Sequence, residues 1–170
     1  RLGCRAVIVM PSTTPDVKVR AVRALGGEVV LHGETYEECS AEAQKRCEAE
    51  GLTYIHPFDD PEVIAGQGTI GIEIMRQSQE PPDAIYVAVG GGGLIAGISA
   101  YVKTLWPETE VIGVEPIDAD AMTQSLRCGH RVELEKVGLF ADGVAVRKVG
   151  KHTFDIARRH VCLLYTSDAA

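Results

Sequence analysis

Apolar positions in this chain fall into two kinds of run. Short, nearly unbroken ones predict buried strands: Ala6-Val7-Ile8-Val9-Met10, Glu28-Val29-Val30-Leu31, Leu52-Thr53-Tyr54-Ile55, Ala84 to Val89 and Glu110 to Glu115. Between them, apolar residues spaced three and four apart predict helices. Thr14 as N-cap with Pro15 at the first helical position opens one, with Val17, Ala21, Ala24 and Leu25 as its buried face and Gly26-Gly27 as its stop. The capping box Thr35-x-x-Glu38 opens a second, striped by Tyr36, Cys39, Ala43 and Cys47 and ended by Gly51. The order β-α-β-α-β to this point predicts a parallel sheet.

The rhythm breaks at His56-Pro57-Phe58-Asp59-Asp60-Pro61, where two prolines and two aspartates mark a turn or a passage between lobes. A helix is predicted from Thr69 to about Gln77. Gly66 and Gly68 just before it point to close approach of another element or of a ligand. After the loop Glu80-Pro81-Pro82-Asp83 comes the strand ending at Val89, then four consecutive glycines, Gly90 to Gly93, then a helical pattern through Ile98, Tyr101, Val102 and Leu105 to Trp106-Pro107. Pro116 closes the next strand. A helix from about Ala119 carries Met122 and Leu126 and stops at Gly129, and a last one spans Thr153 to about His160. The segment Val137 to Val146, small and apolar with Gly138, Gly143 and Asp142, reads as either a buried loop or a short strand.

Four glycines in a row lose more backbone entropy on ordering than any other tetrapeptide. At a strand-to-helix junction the gain that offsets this is close approach to an anion, because free N–H groups and the helix dipole both favour negative charge there. The expectation is an anion cradle at Gly90, Gly91, Gly92, Gly93 and Leu94.

Composition bounds the rest. The 170 residues suffice for one domain or parts of two, and 45% hydrophobic with 24% charged residues is a globular balance. No apolar run approaches the roughly 20 residues of a membrane span. The start Arg1-Leu2-Gly3-Cys4 enters a strand pattern without an initiator methionine, so a piece of a longer protein is expected. Five scattered cysteines without C-x-x-C spacing suit reduced thiols in a cytoplasmic protein. A net charge of −7 without a basic stripe argues against nucleic acid as a partner, while leaving a local nest of N–H groups free to bind an anionic cofactor.

Among specific chemistries, a P-loop is excluded because Leu94-Ile95 stand where lysine and a hydroxyl are needed. A dinucleotide site is a rival: Gly91-x-Gly93-x-x-Ala96 fits its fingerprint, and Glu115 stands where an acid would bond a ribose. Against it, Gly90 and Gly92 exceed what the fingerprint asks, and at least three βα units precede it. The histidines lack ligand spacing, so no metal is expected, and no G-x-S-x-G elbow is present. A non-catalytic interaction domain is the third reading.

Several motifs together resemble the serine/threonine dehydratase family of pyridoxal-phosphate enzymes. They are Val9-Met10-Pro11 with Pro15-Asp16-Val17-Lys18, Gly26-Gly27-Glu28-Val29, Pro57-Phe58-Asp59, Ile64 to Thr69, Val89 to Leu94, and Gly138-Leu139-Phe140-Ala141-Asp142-Gly143-Val144-Ala145. The last points to the threonine branch; serine racemase and the catabolic threonine enzymes are near relatives. The resemblance covers about Arg1 to Val161. It implies a two-lobed α/β fold of parallel-type sheets flanked by helices, incomplete at both ends. Residues 1–58 would fall in the smaller lobe and 59–161 in the larger, with the cofactor in the cleft. It implies pyridoxal 5′-phosphate held through its phosphate by Gly90, Gly91, Gly92, Gly93 and Leu94, with Gly143 near the ring. The implied reaction is β-elimination on L-threonine, possible also on L-serine, giving 2-oxobutanoate and ammonia from threonine. The parent is expected to be a homo-oligomer.

Departures from the family pattern are as specific. The lysine that carries the cofactor belongs to an S-[FY]-K-x-R-G motif absent here, so no catalytic residue is assigned, and Lys18, Lys45 and Lys103 sit on helical surface patterns. Ala121 replaces an acid in a segment through which some relatives bind a divalent metal, so no metal is expected there. Residues 162–170 do not match the family, resemble translated adaptor sequence, and are set outside the fold.

Overall fold

A computed structural model describes residues 3–138 and 141–167, which form two compact units, 1–54 and 55–170. In the first unit, β1 (Val7–Met10) and β2 (Glu28–Leu31) pair in parallel in the register Val7 to Glu28 through Met10 to Leu31. They are joined by α1 (Asp16–Ala24) and followed by α2 (Tyr36–Glu50). The Thr35 capping box forms as its spacing requires: the Thr35 hydroxyl accepts from Glu38 N, and the Glu38 carboxylate accepts from Thr35 N. Cys39 is buried and donates its thiol hydrogen to His32 O, which makes it a small core residue.

Three expectations fail in this unit. No strand forms at Leu52 to Ile55: burial alternates there as in a strand, but no neighbour among the described residues offers a ladder, and without pairing an extended segment is not a strand. The α1 face is the wrong one, since Val17 and Leu25 are 66% and 82% exposed while Val19 is buried. Val19 and Val22 are also three apart, so periodicity alone could not choose between the stripes. Pro15, not Thr14, precedes the helix, and no side chain caps it.

The second unit is built on a parallel sheet in the order β3 (Ala84–Ala88), β4 (Glu110–Pro116), β5 (Leu163–Ser167). Its helices are α3 (Pro61–Gln77), α4 (Gly93–Leu105), α5 (Ala121–Cys128) and α6 (Lys151–His160). A core of Val87, Val89, Ile95, Ile98, Val102, Val111, Met122 and Phe154 joins sheet to helices. Each such side chain stabilises the fold by about 1.5–3 kcal/mol when fully buried.

Here too the expectations need correction. Helix α3 starts at Pro61, eight residues before Thr69, because the Asp60 carboxylate caps it through Glu62 N and Val63 N at 2.8 and 3.2 Å. Both glycines lie inside the helix: Gly66 is exposed and a Cβ there would meet nothing within 4 Å, whereas Gly68 serves packing, since a Cβ on Gly97 of α4 would stand 2.6 Å from Gly68 N and 2.3 Å from Ile64 O of α3. The segment set outside the fold supplies β5, whose β-forming residues pair with β4 from Ile112–Leu163 to Pro116–Ser167. Between α5 and α6 the described residues form no strand beyond one isolated bridge, Glu133 to Lys148; Asp142–Val144 is a single 3-10 turn. Leu139 and Phe140 of the family motif lie outside the described residues.

Candidate functional site

The last ladder bond of β3 runs from Val89 N to Val114 O, and the first bond of α4 from Ala96 N to Gly92 O. Between them, no hydrogen bond among the described residues uses the N–H groups of residues 90–95. Gly91, Gly92 and Gly93 are nevertheless buried, and Gly90 and Leu94 are half-buried. A buried donor left without an acceptor costs about 1–3 kcal/mol, and folded proteins rarely leave even one. Several side by side at a helix N-terminus make a place for an anion. The cofactor phosphate that the family resemblance implies fits this arrangement on those grounds.

The carbonyls of the run, by contrast, are engaged. Gly91 O accepts from Thr153 Oγ1 at 2.7 Å and from Gly150 N at 3.2 Å. Gly92 has φ +94°, a conformation that suits glycine alone. Neighbours fill the space where side chains would stand: the Phe58 ring lies 2.3 Å from a Cβ built on Gly91, and Val144 Cα lies 2.9 Å from one built on Gly90. Gly143, next to Val144, is exposed, and a Cβ there would meet nothing within 4 Å. The sequence thus brings Gly90 to Leu94 together by contiguity, and Gly143 comes beside them through Val144.

Two supporting groups escaped the sequence reading. The Asp59 carboxylate caps α6, accepting from Lys151 N, His152 N and Thr153 N at 2.7, 2.8 and 3.3 Å. The turn that places Asp59 and Phe58 is itself closed by His56 Nδ1, which accepts from Phe58 N and Asp59 N. Burial holds the His56 imidazolium pKa below its ordinary value, partly offset by Asp59 and Asp60. The segment 56–61, expected as a turn or a passage between lobes, therefore carries structure toward the glycines. The Asp-Pro pair at 60–61 was the available signal for α3; nothing local signalled the link from Asp59 to α6.

Glu115 is fully buried. Its Oε1 accepts from Met122 N at 2.9 Å, and its Oε2 from Thr123 N and Thr123 Oγ1 at 2.8 and 2.7 Å. Burial pushes its pKa up, against the pull of those three bonds. The carboxylate is occupied in tying β4 to α5 and is not free for a ribose hydroxyl, which removes the main support for a dinucleotide site. Among the described residues no group of three or more His, Cys, Asp or Glu could hold a metal ion, and no helix is long and apolar enough to cross a membrane. Lys103 Nζ donates to Thr109 O and Pro107 O, and Lys148 pairs with Glu133.

Parallel βα units with a glycine nest at one helix N-terminus, its amides without acceptors among the described residues, define an α/β protein with a place suited to an anionic group. The family comparison is more specific: the model of the pyridoxal-phosphate dependent enzymes matches residues 1–170, and the chain belongs to that family. It is similar to a biosynthetic threonine dehydratase, named chloroplastic, of Arabidopsis thaliana: 59% identical over 99% of this chain and 29% of the relative. The processed form of threonine deaminase isoform 2 from Solanum lycopersicum superposes with a TM-score of 0.91 at 52% identity, over 98% of this chain and 48% of that one. Maize serine racemase superposes with a TM-score of 0.92 at 31% identity, over 98% and 50%. The chain thus spans under a third of the curated relative and about half of each solved chain.

Proposed function

We propose that this chain is the phosphate-holding part of a threonine ammonia-lyase. That enzyme converts L-threonine to 2-oxobutanoate and ammonia as the first step of isoleucine biosynthesis. The observation that carries the reading is the run of amides at residues 90–94 that meet no acceptor among the described residues, in a chain of the pyridoxal-phosphate family. The 59% identity to a biosynthetic threonine dehydratase, against 31% to a serine racemase, favours the threonine reaction.

On this reading the N–H groups of Gly90, Gly91, Gly92, Gly93 and Leu94 hold the phosphate of pyridoxal 5′-phosphate. Charge-assisted backbone bonds are worth about 1.5–3 kcal/mol each, so three or four suffice without a lysine. The cofactor, when bound, supplies an electron sink for the pair released as the α C–H bond of threonine breaks. The chain's own contribution is placement: Gly91 O is tied to α6, Phe58 and Val144 close in on the glycines, and Gly92 takes the left-handed conformation at the head of α4. Gly143 belongs beside the ring by family resemblance. Residues 1–58 and 59–161 correspond to parts of the smaller and larger lobes. A homo-oligomeric parent in the cytoplasm fits the same reading, and five cysteines outside any disulfide suit a reducing compartment.

The test is turnover. The full-length protein containing this segment, supplied with cofactor, is expected to release 2-oxobutanoate from L-threonine faster than pyruvate from L-serine. Racemised serine with no 2-oxobutanoate would transfer the chain to the racemase branch. The 170-residue chain alone is expected to release none, because none of its lysines stands in an S-[FY]-K-x-R-G motif.

A further inference from the structure

A planar trans peptide points its C=O and N–H in opposite directions. The unit linking Gly91 to Gly92 therefore has one free choice, and its carbonyl end has made it. Gly91 O is held from the α6 side by Thr153 Oγ1 at 2.7 Å and, less closely, by Gly150 N at 3.2 Å. Gly92 N–H consequently faces away from α6, and no acceptor among the described residues meets it. Glycine on both sides of this peptide sets no side chain of its own against its rotation, so the bonds to its carbonyl weigh heavily in fixing its direction.

Thr153 is itself held. It is fully buried, and its own N–H, with those of Lys151 and His152, is capped by the Asp59 carboxylate. Because Asp59 follows Phe58, whose ring packs on Gly91, one turn of chain fixes both the covering ring and the helix end that supplies the hydroxyl.

We propose that Thr153 is a positioning residue of the anion cradle: its hydroxyl, backed by the Asp59 cap, sets the Gly91–Gly92 peptide so that Gly92 N–H is presented to the phosphate. This rests on the phosphate reading of the glycine run given above. Thr153 touches neither cofactor nor substrate. Its contribution is one aligned amide, and it must therefore appear in binding of the phosphate group and not in binding of the rest of the cofactor.

The experiment compares pyridoxal 5′-phosphate with pyridoxal, which lacks only the phosphate, by equilibrium dialysis against the full-length apoprotein. Wild type is expected to bind the phosphorylated form far more tightly. Thr153→Val, similar in shape but without the hydroxyl, is expected to reduce that preference about tenfold, as one lost amide bond of ~1.4 kcal/mol requires, with pyridoxal affinity within about twofold of wild type. Thr153→Ser restores the hydroxyl and is expected to restore most of the preference. Equal weakening of both ligands by Thr153→Val, or failure of Thr153→Ser to rescue, overturns the proposal in favour of plain packing. Should Thr153→Val not fold, Asp59→Asn, which leaves the hydroxyl and loosens only the cap behind it, is read the same way: a reduced preference supports the proposal and an unchanged one overturns it. A wild-type protein that does not distinguish the two ligands refutes the phosphate reading itself, a result separate from any variant.

Discussion

Replacing Gly92 by alanine tests whether the glycine run is required by geometry. Two effects add. At φ +94° an L residue is in left-handed territory, which costs about 1–2 kcal/mol. The new Cβ would also stand 2.6 Å from Met122 Cε and 2.9 Å from Thr153 Cβ and Oγ1. Met122 can yield, because the close atom is the end of a flexible chain. Thr153 cannot yield without losing its bond to Gly91 O, and forced overpacking of this kind costs about 1–3 kcal/mol. The expected loss is thus about 2–5 kcal/mol, a large share of a typical 5–15 kcal/mol domain stability. Gly143→Ala is the matched control: a Cβ there meets nothing within 4 Å and its φ is ordinary, so a change within about 0.5 kcal/mol is expected. Equilibrium urea unfolding, monitored by the single tryptophan, Trp106, and by circular dichroism, reads both. A loss below about 1 kcal/mol at Gly92, or an equal loss at both sites, would refute the reasoning.

Two further substitutions probe the supports. Glu115→Ala leaves Met122 N, Thr123 N and Thr123 Oγ1 without their buried acceptor, and a loss of about 3–5 kcal/mol in urea unfolding is expected; retention of wild-type stability would show that the link from β4 to α5 is dispensable. At His56 the folded-state pKa lies below the ordinary 6.5, so the unfolded chain takes up the proton first as pH falls. The stabilisation is therefore complete above 6.5 and is lost as pH drops through the lower folded value. His56→Asn, which keeps an acceptor near the Nδ1 position but does not titrate, should flatten that part of the stability–pH curve, and an unchanged curve would contradict the assignment.

How far the sequence could be read depended on how local each determinant is. The glycine run and its flanking strand and helix were legible because their signals are contiguous and because four glycines need a reason. Thr35 and Glu38 announced α2 for the same cause. The α1 face was not legible, since Val17, Ala21 and Leu25 make as good a stripe as Val19 and Val22 until a sheet is there to choose. The Leu52 to Ile55 segment has strand composition, but no strand among the described residues forms a ladder with it, and pairing is not written in one strand. Gly66 and Gly68 looked like punctuation, yet inside α3 Gly68 answers to Gly97 on another helix. The supports of the cradle were the least visible, because Thr153 meets Gly91 across 62 positions and Asp59 meets Thr153 across 94. Such pairings arise from the fold, and no periodicity reports them.

On the proposed function, the backbone amides of residues 90–94 hold the cofactor phosphate. A crystal structure of the full-length protein loaded with pyridoxal 5′-phosphate tests it directly. Phosphate oxygens are expected about 2.7–3.2 Å from the amide nitrogens of Gly90, Gly91, Gly92, Gly93 and Leu94. A phosphate held by lysine or arginine side chains elsewhere, with those amides facing water, would contradict it.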